Sequence, residues 1–302
     1  MPRTALPALR SGLSALLVLI AGGVTSSAQD AQRKEPSGEG AQPRVSEAHL
    51  VKTGLYLFSS PSGNSLLRLS GNGMILVDGQ PPGDCDALLK EVRRSSRISD
   101  QSISVVINTD HHVQRAGCNA KLLAKGAQVL AHENVRQYLT QDQPSSEPIA
   151  SPTKTYGDHL NVKLGGVEVQ VMHFGNAHTS GDTVAYFPNL KVVAVGDLYA
   201  KTPDPSFTEG GSLVGWGPVL AEILKLDFDV VVPGTGPIVT KADLTTFKRK
   251  IDTLVSRAAA LVKKGVAKDR LMAELETDDL GWSFDFTGER LDNFYDELSR
   301  AK

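Results

Sequence analysis

The stretch INTDHHVQRAGCNAKL, residues 107 to 122, sets two adjacent histidines between an aspartate and an arginine where an apolar, β-branched run ends. Residues two apart in an extended segment point the same way, so Asp110 and His112 can aim a carboxylate and an imidazole at one ion. His111, between them, is expected to point elsewhere. Gln114 can orient a water but cannot take its proton at neutral pH, and Arg115 brings a fixed positive charge with no lone pair to donate. Three more polar loops follow apolar runs: HFGNAHTSGDT at 173–183 with His178, GDLYA with Asp197, and PGTGP at 233–237 with Thr235. Imidazoles and carboxylates arriving from separate loops suit zinc, iron or manganese. Against that stands a plainer reading, since polar residues gather at strand ends wherever chains turn, and a lone loop histidine is more often structural.

These loops need a frame to hold them. GLYLFSS and NSLLRLSGNGMILVDG read as strands, the second folded at its Gly-Asn-Gly turn as a hairpin. Asp84 to Arg94 suits a short helix with Asp84 as cap and Leu88, Leu89 and Val92 on one face. SISVVINT is then a buried strand delivering its last residues to a sheet's carboxyl edge. A helix at about 116–125, the strand AQVLAH and a helix at about 133–139 follow. Strands resume at NVKLGG, VEVQVMHF, TVAYFP and KVVAVGD, a helix at about 213–225 precedes the strand FDVVVPG, and 239–302 is mostly helical. This order predicts a layered α/β core. Residues 140–160 read as a long surface crossing, and with 201–213, KTPDPSFTEGGSL, they are expected to border the cleft. Phe207 and Trp216 are candidates for its apolar surface, although Trp216 also begins a core-facing helical stripe with Val219, Leu220 and Ile223.

The whole chain bounds these readings. Its 302 residues, 40% hydrophobic, suffice for a large core. Arg3 and Arg10 ahead of SGLSALLVLIAGG, with the small residues Ser26 and Ala28 following, read as a cleaved secretory signal over 1–28, and the apolar run is shorter than the roughly 20 residues needed to span a bilayer. Residues 29–46 suit a flexible leader, 47–302 a single domain with a helical C-terminal extension, and the product is expected to be secreted or periplasmic without stable membrane insertion. Losing two arginines and no acid takes the net charge from −2 to −4, and a mildly acidic chain without basic clusters argues against nucleic acid. The partner is then a small molecule or a protein of unstated kind. Cys85 and Cys118 are the two cysteines; Cys118 near a helix start could be an activated thiol, a core thiol or half of a disulfide. His132 is expected to satisfy hydrogen bonds near a strand end and cap the next helix.

Taken together, ILVDG, INTDHHVQRAGCNA, VLAHENVR, NAHTSGDTVAYFP, VVAVGDL and VVPGTGP resemble the metallo-β-lactamase superfamily over roughly 51–270. The resemblance implies a four-layer αβ/βα sandwich, two sheets face to face between helical layers, with metals at one edge. The family's H-x-H-x-D-H loop corresponds to DHHVQR at 110–115. Asp110 stands for the first histidine, His112 is retained, Gln114 replaces the aspartate and Arg115 the last histidine. The third histidine corresponds to His178, the bridging aspartate to Asp197, and the final histidine to Thr235. The three-histidine position thus keeps Asp110, His112 and His178, a set for one divalent ion, zinc first with iron or manganese as substitutes, while the second keeps Asp197 alone. Arg115 is expected either to pair with Asp197 as stand-in for the missing ion or to face solvent. The reading put first is a protein without the usual two-metal centre, without the usual hydrolase activity, and with a binding or structural role. The alternative is a mononuclear hydrolase of an ester, thioester, lactone or lactam through metal-activated water, with Gln114 and Asp197 as catalytic candidates. Some mononuclear relatives hold iron for sulfur oxidation with two histidines and that aspartate, a set approached here by His112, His178 and Asp197.

Overall fold

The computed structural model describes residues 45–96, 101–140, 149–284 and 286–300. The signal and most of the leader read from the sequence, and residues 141–148 of the long crossing, lie outside them. One sheet runs in spatial order through β1 (His49–Lys52), β2 (Leu55–Ser60), β3 (Gly63–Ser70), β4 (Gly73–Val77), β5 (Ile103–Ile107), β6 (Gln128–His132) and β7 (Lys154–Tyr156). The other holds β8 (His159–Leu164), β9 (Val167–Met172), β10 (Val184–Phe187), β11 (Val192–Gly196), β12 (Val230–Pro233) and β13 (Val239–Thr240). The helices are α1 (Cys85–Ser96), α2 (Val113–Ala116), α3 (Asn119–Ala124), α4 (Val135–Thr140), α5 (Leu213–Leu224), α6 (Lys241–Lys263), α7 (Lys268–Glu274) and α8 (Gly288–Arg300).

Every residue of β4 and of β11 is buried. Strands covered on both faces read as continuous apolar runs, and MILV and VVAV are such runs. Between the sheets, Leu57, Leu66, Ile75, Val77 and Ile107 of the first meet Val169, Val171, Phe187, Ala194 and Val232 of the second. Leu88, Leu89 and Val92 of α1 and Leu122 of α3 cover the first sheet's outer face. Trp216, Leu220 and Ile223 of α5, with Leu244, Phe247 and Ile251 of α6, cover the second's. The layers are therefore αβ/βα, as the sequence implied. β4, β5 and β6 pair in parallel, as do β11 and β12, so the loops that follow them leave each sheet at a carboxyl edge.

Local chemistry sets the ends. Ser212 accepts from the Gly215 amide to start α5, and Thr240 with Asp243 forms a capping box on α6. The segment expected as one helix at 116–125 is two short helices, broken at Gly117–Cys118, and β7 is a short strand inside the supposed crossing. Cys85 and Cys118 form a disulfide, which rules out Cys118 as a thiolate nucleophile and ties α1 to the start of α3. Trp216 is fully buried and donates Nε1–H to the Leu198 carbonyl, so it belongs to the core. Phe207 packs on Phe286 and Phe294, against the C-terminal segment, rather than serving as bare cleft surface.

Candidate metal centre

The loop after β5 is held from beneath. Asp78, at φ 60 just past β4, accepts from the Thr109 amide and hydroxyl, each at 2.7 Å. Burial pushes its carboxyl up to about 7, even though Arg115 nearby favours the charged form. Asn108 donates to the Arg115 carbonyl and accepts from Asn119. The Thr183 amide donates to the Thr109 carbonyl at 2.7 Å, joining this loop to the one that carries His178. A fixed base of this kind lets adjacent side chains hold a functional geometry.

On that base Asp110 is buried, and its Oδ1 accepts from the His112 amide at 2.8 Å. The Asp110 carboxylate lies 3.4 Å from His112 Nδ1 and 3.6 Å from His178 Nδ1. The His178 loop is pinned by Asp182, which accepts from the Thr179 amide and hydroxyl. His178 Nδ1 is buried and has no hydrogen-bond partner. One ligand atom each from Asp110, His112, His178 and Asp197 lie within 4.8 Å of one another. An orphaned imidazole nitrogen facing a buried carboxylate and a second imidazole is a donor set suited to one divalent ion, so the residues present fit a single metal.

A second group, His111, His112 and Glu209, shares His112 with it, while on the Asp197 side a guanidinium stands beside the set. Arg115 is buried, with Nη1 donating to the Gly234 carbonyl at 2.7 Å and Nη2 donating to Asp197 Oδ1 at 2.5 Å and to Thr235 Oγ1 at 3.2 Å. The contact expected between Arg115 and Asp197 is therefore present, and the solvent-facing alternative is not what the fold adopts. A Cβ on Gly234 would come within 2.4 Å of Arg115 Nη2 and 2.6 Å of Asp197 Oδ1, so the close approach requires glycine there. Burial disfavours the guanidinium's charge, but Asp197, Asp78 and Asp110 around it outweigh this and hold it protonated. Gln114 is exposed on α2, and Thr235 is exposed on the loop after β12.

Glu209 belongs to no motif read from the sequence. Its Oε2 lies 2.9 Å from His112 Nε2 and its Oε1 lies 3.1 Å from His111 Nε2. His111 does point away from the Asp110 cluster, stacking on Tyr138 at 4.5 Å. With a carboxylate on Nε2, His112 presents Nδ1 to Asp110 and His178, the arrangement by which an outer carboxylate fixes a metal-binding tautomer. Glu209 sits 97 residues along the chain from His112, in the loop expected to border the cleft, and carries no motif of its own. Burial favours a neutral His112, but the hydrogen bonds to Asp110 and Glu209 outweigh it and push the ring up to about 11. The two histidines beside Glu209 hold its carboxyl far below the usual range. His132 caps the turn before α4 by accepting from the Asn134 amide at 3.3 Å, and stacks on His173 at 3.8 Å, away from the cluster.

Sandwich, loop edge and donor set together define a class, and the family model of the metallo-beta-lactamase superfamily matches residues 61–235: the chain belongs to that superfamily. It is 27% identical over 231 residues to the 2,4-dinitroanisole O-demethylase subunit alpha of Nocardioides sp. (strain JS1661), covering 75% of this chain and 66%, just under two thirds, of that one. It is 26% identical over 195 residues to the metallo-beta-lactamase type 2 of Bacillus cereus, 62% of this chain and 73% of the other. Among solved structures, a metallo-beta-lactamase from Pontibacter korlensis superposes with a TM-score of 0.60 at 19% identity, covering 68% of this chain and 98% of that one. The DIM-1 metallo-beta-lactamase gives 0.58 at 20%, covering 69% and 99%. Among the described residues no helix is long and apolar enough to cross a membrane.

Proposed function

We propose that the protein is a mononuclear metal-dependent hydrolase in which Asp110, His112 and His178 hold one divalent ion, zinc in the first instance. The observation that carries this reading is the convergence of those ligand atoms, with Asp197, inside 4.8 Å. Bound there, a divalent ion supplies Lewis-acid activation of a water and of a carbonyl or ester oxygen. The chain's own residues supply the rest. Glu209 orients His112; Arg115 replaces the charge of a second ion and binds Asp197 Oδ1; Asp197 retains Oδ2 to orient the nucleophile. Exposed Gln114 can orient water but accepts no proton, so turnover is slower than a two-metal site would give. The iron set of His112, His178 and Asp197 is less favoured, because Arg115 already takes an oxygen of Asp197.

The names of the relatives, a lactamase and an O-demethylase, span C–N and C–O cleavage and leave the scissile bond open. The binding role put first from the sequence is favoured by one observation, the buried Arg115 guanidinium paired with Asp197. The test is zinc-loaded protein assayed against a 4-nitrophenyl ester, a thioester, a lactone and a lactam, beside His178→Ala. Hydrolysis of at least one, lost in the variant, supports the enzyme. A zinc-loaded protein inert toward all four returns the reading to binding.

The N-terminal segment, read as signal and leader, belongs to the same proposal: the enzyme works outside the cytoplasm, where the Cys85–Cys118 bond persists.

A further inference from the structure

The hydrolase reading leaves His111 without a task. Its side chain is 1% exposed, and neither Nδ1 nor Nε2 makes a hydrogen bond among the described residues. Burying an imidazole with both nitrogens unsatisfied is costly, because each is hydrogen-bonded to water in the unfolded chain. The ring stacks on Tyr138 at 4.5 Å and lies 4.6 Å from the His112 ring. Its Nε2 comes within 3.1 Å of Glu209 Oε1, close but off the line of a hydrogen bond.

Glu209 closes a tripod. Its Oε2 lies 2.9 Å from His112 Nε2, and one donor atom from each of His111, His112 and Glu209 falls within 4.8 Å of the others. Ligand atoms held by a common ion at about 2 Å stand roughly 3 Å apart, so both carboxylate contacts have the spacing an ion would impose. Backbone contacts place the carboxylate: the Glu209 amide donates to the Ser206 carbonyl at 2.9 Å, and its carbonyl accepts from the Ser180 amide at 3.0 Å. Gly210 follows at φ 74, where a Cβ would come within 2.7 Å of Ser180 Cβ, so the loop turns tightly onto the one carrying His178. A tripod fixed in this way is preorganised for a ligand.

The side chains of His112 and Glu209 are 27% and 30% exposed and that of Asp110 is 1%, so this set opens outward while the Asp110 set lies inside. His112 has a carboxylate at each ring nitrogen, Asp110 at Nδ1 and Glu209 at Nε2. A neutral imidazole offers one lone pair and carries a proton on its other nitrogen. An ion on Nδ1 leaves Nε2–H to Glu209, and an ion on Nε2 leaves Nδ1–H to Asp110. The two seats therefore exclude each other, and each uses the other's carboxylate to orient the shared ring.

We propose that His111, His112 and Glu209 form an outer seat for copper(II), filled in alternation with the inner set through His112. Two imidazoles and a carboxylate with open positions suit copper(II), and among first-row divalent ions copper binds such donors most tightly. A three-ligand, partly exposed seat too weak to retain zinc, iron or manganese thus still retains copper. The proposal is independent of hydrolysis and holds whatever the inner ion activates.

The probe is copper(II) itself, and the background is His178→Ala, which disables the inner set; His178→Gln is the second background should the alanine variant not fold. Expected is one equivalent of copper, with an electron paramagnetic resonance spectrum showing two imidazole nitrogens. Adding His111→Phe, which keeps a ring on Tyr138, should remove one nitrogen from the spectrum and weaken copper binding at least about tenfold, and adding Glu209→Gln should weaken it similarly. In the parent, His111→Phe should leave zinc content unchanged, and copper added to zinc-loaded protein should never raise total metal above one equivalent. No copper in a folded His178 variant, or copper indifferent to His111→Phe, would overturn the seat. Zinc lost from the parent by His111→Phe would do the same by placing His111 in the inner set, and two ions held at once would end the alternation. A protein that binds copper through His111 yet hydrolyses nothing when zinc-loaded would overturn the hydrolase reading and leave the outer seat standing.

Discussion

Arg115 and Glu209 decide how the cluster of Asp110, His112 and His178 behaves, and neither contributes a ligand to it. Arg115 is buried on Asp197, so Arg115→Met leaves a carboxylate without its partner in a partly closed site. Removing one partner of a buried pair costs about 3 kcal/mol or more, and urea denaturation of that variant should show a loss of this order; a loss under about 0.5 kcal/mol, the usual surface range, would mean that the pair does not support the fold. Glu209 acts through His112. Glu209→Gln keeps the size and weakens the hold on Nε2, and the zinc dissociation constant should rise about 10- to 100-fold. An unchanged constant would leave Glu209 as a surface acid that happens to lie nearby. The two residues differ in how far the sequence disclosed them. Arg115 stands inside a recognisable loop text, so its pairing could be expected from the hole left by a missing ligand. Glu209 reaches the site from a separate loop, and its contact depends on how Gly210 and Gly211 turn that loop back onto His178, where the Ser206 amide donates to the His178 carbonyl.

At the scale of elements, apolar runs and turn chemistry located β4, β5, β11, β12 and α5 because covered strands and capped helices leave strong local patterns. What stayed hidden was local breakage: one expected helix is α2 and α3, split where Cys118 is drawn to Cys85, and β7 is a three-residue strand whose pairing with β6 is a tertiary fact. The disulfide joins residues 33 apart, and closing a loop of this length in the unfolded chain is worth about 3–4 kcal/mol. Reduction with a thiol, or the Cys85→Ser/Cys118→Ser double variant, should lower the urea midpoint accordingly. Because Cys118 Sγ accepts from the Gln80 amide at 3.3 Å and the adjacent Gly79 amide donates to the Arg115 carbonyl at 2.7 Å, the bond is coupled to the loop that carries Arg115, and reduction should weaken metal retention too. A midpoint indifferent to thiol would show that packing of α1 alone holds that layer.

At the scale of the molecule, the two-sheet sandwich was legible from the order of its segments, while the packing of Phe247 of α6 on Trp282 was not, since the two rings meet only through the tertiary fold. Global stability carries a pH signature through His132, which burial, and then the neighbouring His173, push down to about 4. Its folded value lies below the unfolded one near 6.5, so the unfolded chain binds the extra proton between those values. The stabilisation from a neutral His132 is complete above pH 6.5 and is lost as pH falls toward 4. Denaturation at pH 7 and pH 5 should show a smaller loss in His132→Asn than in the parent, and an equal loss would assign the acid sensitivity elsewhere. The central claim, one metal held by Asp110, His112 and His178 with Arg115 in place of a second, is tested most directly by metal stoichiometry. Elemental mass spectrometry on the purified protein, after exposure to zinc, iron and manganese in turn, should find one equivalent, absent from His112→Ala and His178→Ala. No retained metal, or two equivalents, would contradict it.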